Sequence, residues 1–191
     1  MNVALYFGSF NPIHKGHTSI CKHIIDMKYA DEVWLIVSPQ SPFKKEADLA
    51  KEGHRINMAT LALKDENLDD KVSVNDIELT MPKPSWTVDT LKKLCSQFPE
   101  NRFSIIMGED NIVNFDKWKE YKTILELCEN IFVYPRKGRS LKSSFPKVLY
   151  MEKAPLLDYN STYIRSTINK ETTLINEKVR DYIIENQLYA K

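Results

Sequence analysis

Val3-Ala-Leu-Tyr-Phe7 runs without a break into Gly8-Ser-Phe-Asn-Pro-Ile-His-Lys-Gly-His17. Five consecutive apolar residues are the mark of a strand buried on both faces. The polar segment after it reads as a loop opening a helix, because Ile20, His23, Ile24 and Met27 recur at helical spacing from about Gly16 to Lys28. Glu32-Val-Trp-Leu-Ile-Val37 is a second buried strand. A strand, a crossover helix and a second strand predict a parallel pair, and that pair decides the fold class.

The rest of the chain repeats the alternation. Gln40 to Leu49 is a loop containing Pro42 and two lysines, followed by a helix over about Glu52 to Lys64. A weaker strand spans Lys71 to Leu79, and the loop Met81-Pro-Lys-Pro-Ser-Trp86 leads to a helix capped by Thr87. Val88, Leu91, Leu94, Cys95 and Phe98 share one face of that helix. Further strands are Arg102 to Met107, Ile131 to Tyr134 and Val148 to Tyr150. Short helices carry Phe115, Trp118, Tyr121, Ile124 and Leu125, and two C-terminal helices open at Ser161 and span about Asn176 to Asn186. Apolar strands alternating with helices predict an α/β fold with a doubly wound parallel sheet. No repeat or linker divides the 191 residues, so one domain is expected, with helices over about 161–191 packed on it.

Composition narrows the function. Lys and Arg total 27 against 26 Asp and Glu, so no net field steers the chain toward a nucleic acid polymer or a membrane. Cys21, Cys95 and Cys128 are far apart with no metal spacing; Cys95 and Cys128 read as small core hydrophobes, as a reducing cytoplasm allows. No apolar stretch approaches the 18 residues of a membrane span, so a soluble cytoplasmic protein is expected. A homo-oligomer is left open, with the outer side of the last helices as its interface. Glycine is scarce, five residues in all, where average usage of about 7% gives roughly thirteen. Gly8, Gly16 and Gly108 each fall where an apolar run gives way to a polar cluster, which suggests backbone kept bare for a ligand.

In a parallel sheet, ligands bind beyond the carboxyl ends of the strands. Gly8, Ser9 and Phe10 follow the first strand there, and a helix start beside them offers N–H groups and a positive dipole end to phosphate. His14 and His17 bracket Gly16 and can hold polyphosphate oxygens as charge shifts. A metal site fits less well, because only four histidines exist and no acidic third ligand is near. The bland alternative is a pair of hydrogen-bonded loop histidines. Asp110, after Gly108, can accept bonds from ribose hydroxyls or hold magnesium indirectly; Thr87 with Asp89 reads as a helix cap, and so does Ser161 or Thr162.

The segment GSFNPIHKGH resembles the signature of the HxGH nucleotidylyltransferases, and the chain is most similar to the bacterial nicotinate-nucleotide adenylyltransferases among them. The likeness runs almost the whole length, because the remaining clusters come in that family's order. It implies a Rossmann-like sheet and transfer of the adenylyl group of ATP to nicotinate mononucleotide, with Mg²⁺ accompanying ATP. It implies ATP contacts at Gly8, Ser9, Phe10, His14, His17, Gly108, Asp110, Ser161, Thr162 and Arg165. Lys44 matches the cation of the family's second loop, although Ser41-Pro42-Phe43-Lys44 has Phe43 where that loop carries histidine. Thr87 and Asp89 would receive nicotinate mononucleotide at a helix start suited to a carboxylate, Trp118 would stack on its ring, and Arg136 would add a phosphate contact. His14, His17, Lys44 and Arg165 would neutralise charge in an in-line displacement at the α-phosphorus. A phosphate monoester is already anionic near pH 7, so no general base is needed. Phosphopantetheine adenylyltransferases and cytidylyltransferases share the HxGH and Ser/Thr-x-x-Arg ends but not the middle segments. A non-catalytic nucleotide-binding regulator would not need both histidines, the lysine and the arginine.

Overall fold

The computed structural model describes residues 1–39, 49–136, 144–156, 160–168 and 173–190. Six strands, β1 (Asn2–Gly8), β2 (Glu32–Val37), β3 (Val72–Asn75), β4 (Arg102–Gly108), β5 (Ile131–Tyr134) and β6 (Val148–Tyr150), form one sheet in the order β3-β2-β1-β4-β5-β6. Every pairing is parallel, with Leu5 opposite Trp34 on one side and Ile105 on the other. This is the doubly wound parallel sheet that the apolar runs predict, Rossmann-like as the family resemblance implies, and its strand order reverses between β1 and β4.

The unbroken apolar strands have a simple cause. Side chains alternate, so Ala4 and Tyr6 enter one core while Val3 and Leu5 enter the other. Helices α1 (Lys15–Asp26), α2 (Glu52–Asp65), α6 (Ser161–Thr167) and α7 (Glu177–Glu185) cover the first face. Helices α3 (Thr87–Gln97) and α5 (Tyr121–Leu127) cover the second, and α4 (Glu109–Ile112) is one turn after β4.

Four expectations change. The strand over Lys71 to Leu79 ends at Asn75, whose Oδ1 accepts from the N–H of Ile77 and turns the chain into a 3₁₀ turn at Ile77–Thr80. β3 is an edge strand with β2 as its neighbour, so less pairing holds it straight. The N-cap of α3 is Trp86, with Thr87 the first helical residue. Asn160 caps α6, its Oδ1 accepting from the N–H of Tyr163 at 3.0 Å, so neither Ser161 nor Thr162 is the cap. Cys128 is buried as expected, whereas Cys95 sits half-buried at the rim of its core. The loop residues Phe43, Lys44 and Lys45 lie outside the described residues. Among the described residues no helix is long and apolar enough to cross a membrane.

Candidate active site

β1 ends at Gly8, where a Cβ would meet the ring of Phe10 at 3.1 Å. Phe10 has φ 44°, a left-handed backbone that swings its buried ring back over the strand end. That ring lies edge-on to Tyr6 at 5.9 Å and to His17 at 5.1 Å. The bare backbone at Gly8 therefore has a packing cause: it makes room for the aromatic that backs His17.

His14 is the N-cap of α1 and His17 its third residue. The His14 backbone N–H donates to His17 Nδ1 at 3.2 Å. A ring nitrogen that accepts carries no proton, which places the neutral tautomer's proton on His17 Nε2. The two rings stack with centres 3.7 Å apart. His14 is only 3% exposed. Burial and then the nearby charge of Arg136 lower its pKa to about 3, so its imidazole is neutral at ordinary pH.

At the end of β4, a Cβ on Gly108 would press on Asp110, on Arg136 Nε at 3.1 Å and on Tyr134 at 3.2 Å. Asp110 accepts from Arg136 Nε at 3.3 Å, and the buried carboxylate of Glu109 accepts from the Arg136 backbone N–H at 3.0 Å. Arg136 Nη2 also donates to the Tyr134 hydroxyl, which lies 3.2 Å from the Tyr6 hydroxyl. Burial raises the pKa of both phenols, keeping them protonated. This network fixes a guanidinium between the β4 and β5 ends.

The opposite wall is the start of α3. Glu78, buried at 2% exposure, accepts from Ser85 Oγ at 2.9 Å and from Thr90 Oγ1 at 2.8 Å, tying the 3₁₀ turn to the helix's first turn. Trp86 is 38% exposed, and Lys119 Nζ lies 5.9 Å from the centre of its ring while pairing with Asp89 at 2.8 Å. Asp89 is thus committed to an ion pair at the rim. Trp118 is half-buried and leans on Phe115.

A cavity of about 860 Å³ joins these walls. Of the residues singled out by sequence, Gly8, Ser9, Phe10, His14, His17, Thr87, Asp110, Trp118, Arg136, Ser161 and Thr162 line it. Gly108, Asp89 and Arg165 do not. Arg165 instead donates from Nη1 to the Asn11 carbonyl at 2.8 Å, and Ser161 Oγ donates to the Pro12 carbonyl at 3.0 Å. Both bonds tie α6 to the loop that carries His14. Lys44 lies outside the described residues.

Sequence reasoning missed Arg55, Glu78, Trp86 and the Tyr6–Tyr134 pair. Arg55 is fully buried and donates to the carbonyls of Ser9 (2.8 Å), Ser38 (2.6 Å), Pro39 (3.2 Å) and Ala50 (3.0 Å). Its signal was present, because Arg55 sits in register with Met58, Ala59 and Ala62 on the buried face of α2. A charge on an apolar stripe needs buried acceptors.

Taken together, a doubly wound parallel sheet with stacked histidines at the end of its first strand and a cavity across its switch point defines a nucleotide-handling α/β protein. The chain belongs to the cytidylyltransferase-like family, whose model matches residues 5–167, and within it to the nicotinate-nucleotide adenylyltransferases. It is 39% identical to a curated protein of Flavobacterium johnsoniae named "Probable nicotinate-nucleotide adenylyltransferase", covering 100% of both chains. A protein of the same name from Cytophaga hutchinsonii is 39% identical, covering 100% of this chain and 99% of its own. Among solved structures, Plasmodium falciparum nicotinic acid mononucleotide adenylyltransferase complexed with NaAD superposes with a TM-score of 0.83 at 24% identity, covering 98% of this chain and 97% of that one. The same enzyme complexed with APC gives a TM-score of 0.81 at 25% identity, covering 98% and 96%.

Proposed function

We propose that this chain transfers the adenylyl group of ATP to nicotinate mononucleotide, releasing pyrophosphate and forming deamido-NAD, a step of NAD biosynthesis. The observation that carries the reading is a cavity of about 860 Å³, lined by His14 and His17 on one wall and by Trp86, Thr87 and Trp118 on the other. That volume is near the upper end for small-molecule sites, about 300–1,000 Å³, which suits two nucleotides meeting.

The 5′-phosphate oxygen of nicotinate mononucleotide forms the new bond to the α-phosphorus, and the bond to the bridging oxygen of pyrophosphate breaks. Charge moves onto the leaving group, where fixed N–H donors matter most. His17 offers Nε2–H there, and neutral His14 holds His17 in its tautomer through the backbone contact. Arg136, held by Asp110 and Glu109, presents its fork to the acceptor's phosphate. Thr87, at the first turn of α3, receives the nicotinate carboxylate with the positive end of the helix. Trp86 and Trp118 supply flat apolar surface beside it. Arg165, Ser161 and Thr162 act at the loop carrying His14, with Lys44 as a further cation from its own loop. Mg²⁺ would accompany ATP as part of the substrate complex and would screen phosphate charge there.

Incubating the protein with MgATP and either nicotinate or nicotinamide mononucleotide, and separating the products, tests this. Deamido-NAD and pyrophosphate from the acid substrate are expected, with much less dinucleotide from the amide. ATP binding without either dinucleotide would make the chain a regulator and end the proposal.

A further inference from the structure

The loop between β1 and His14 is gripped by residues from distant parts of the chain, and one grip comes from the C-terminal segment. The Tyr189 hydroxyl donates to Asn11 Oδ1 at 2.7 Å, across 178 positions of sequence. The same oxygen accepts from the Ala50 N–H at 3.0 Å. Asn11 is itself 3% exposed and sits three residues before His14. We propose that Tyr189 is a positioning residue for adenylyl transfer, holding through Asn11 the loop that carries His14. The proposal rests on the role given to the histidine pair above.

The segment after α7 is built to deliver this contact. After α7, the N–H of Leu188 bonds the carbonyl of Ile183 and that of Gln187 the carbonyl of Ile184. This is the Schellman pair, and it reverses the chain with Gln187 at φ 51°. Leu188 and Tyr189 then pack against the core that α1 and α2 share. Tyr189 itself takes φ 62°, a left-handed backbone that L-residues adopt only at an energetic cost. α7 is anchored independently, its Tyr182 hydroxyl lying 2.9 Å from His54 Nδ1 and 3.0 Å from Asn57 Nδ2 on α2. The Tyr189 bond is therefore not what keeps α7 in place. Burial raises the phenol's pKa, so it remains a donor at every working pH. A short bond to the side chain of a buried loop residue, made by a strained tyrosine, acts on the loop and through it on the imidazole pair, whose alignment an in-line transfer requires.

Tyr189→Phe removes the hydroxyl and keeps the ring. The expected result is a fall in kcat of about tenfold at saturating MgATP and nicotinate mononucleotide, with both KM values within threefold of the parent. In an Asn11→Ala background the same change should do nothing further, since the two act as one unit. Amide exchange over residues 9–14 should quicken in Tyr189→Phe, which serves as the deciding readout if Asn11→Ala does not fold. A kcat within twofold of the parent, equal losses in both backgrounds, or unchanged exchange over 9–14 would each overturn the proposal. The parent's own product formation is read in the same assay, so failure of the assigned reaction is seen separately.

Discussion

The imidazoles of His14 and His17 lie face to face, centres 3.7 Å apart and planes inclined by 24°, while the His14 N–H donates to His17 Nδ1. Two imidazolium ions would repel at that distance, so the stack requires at least one neutral ring, and burial makes it His14. His17 then keeps its outward proton for a phosphate oxygen. His17→Ala should lower kcat by about 10²–10³-fold, the loss typical of one preorganised donor, with a much smaller effect on KM. Steady-state rates at saturating substrates check it, and near-parent turnover would remove His17 from the reaction.

The same burial links His14 to stability. Its folded pKa of about 3 lies below the unfolded value of 6.5, so between those pH values the unfolded chain binds a proton that the folded chain does not. Stability therefore falls as pH drops from about 6.5 toward 3. From pH 7.5 to pH 5 this one group contributes a loss of about 2 kcal/mol. His14→Asn, which titrates in neither state, should show a correspondingly shallower decline in urea unfolding over that range. Parallel pH dependences for the two proteins would contradict the assignment.

Arg55 joins four carbonyls from three segments: Ser9 after β1, Ser38 and Pro39 after β2, and Ala50 before α2. A planar fork can satisfy them together; a compact ammonium, a single point of donation, cannot. Arg55→Lys should cost about 2–4 kcal/mol, since it strands buried acceptors without removing the buried charge. Urea denaturation at pH 7.5 measures this. A loss below about 0.5 kcal/mol would mean water replaces the guanidinium freely.

Gly108→Ala tests the guanidinium wall. The added methyl would displace the Asp110–Arg136 pair from the β4 end. Three-residue neighbourhoods this tight give way by moving side chains, so the fold should persist. KM for nicotinate mononucleotide, whose phosphate Arg136 is proposed to meet, should rise by about tenfold, with KM for ATP and kcat less affected. Titrating each substrate in turn checks this, and an unchanged KM for nicotinate mononucleotide would remove Arg136 from its binding.

Much of this was legible because it is local. β1, β2, β4 and β5 announce themselves as apolar runs, since both faces of the sheet are covered. β3 did not, because an edge strand is ended by one side chain, Asn75, rather than by its pattern. GSFNPIHKGH carries its site within ten residues, so spacing alone brings His14 to His17. Arg55 shows in the sequence as a charge on the buried stripe of α2, but the Ser9 and Ser38 carbonyls it meets do not; Glu78 and Tyr189 are opaque because each acts on side chains brought near by the fold, Tyr189 from 178 positions away. Gly8 is readable as special, and the fold adds a packing neighbour that the sequence does not show, the ring of Phe10.

Helix ends were blurred by the scarcity of glycine. α1, α2 and α7 all finish in Schellman turns whose left-handed residue is Lys28 (φ 56°), Asn67 (φ 53°) or Gln187 (φ 51°). The usual glycine stop sign is missing, and periodicity carried α1 to Lys28, two residues past its end at Asp26. A left-handed lysine costs about 1–2 kcal/mol, of which glycine's greater unfolded freedom would give back roughly 0.5–1. Lys28→Gly should thus stabilise the protein by up to about 1 kcal/mol, raising Tm by about 1–4 °C for a chain of this size. Asn67→Gly should gain less, because asparagine tolerates that backbone. Lys28 precedes β2 at the amino edge of the sheet, away from the carboxyl edge where the cavity opens, so activity should not change. Scanning calorimetry of both variants decides it: a Tm for Lys28→Gly at or below the parent's would show that the lysine stem's packing outweighs its backbone cost.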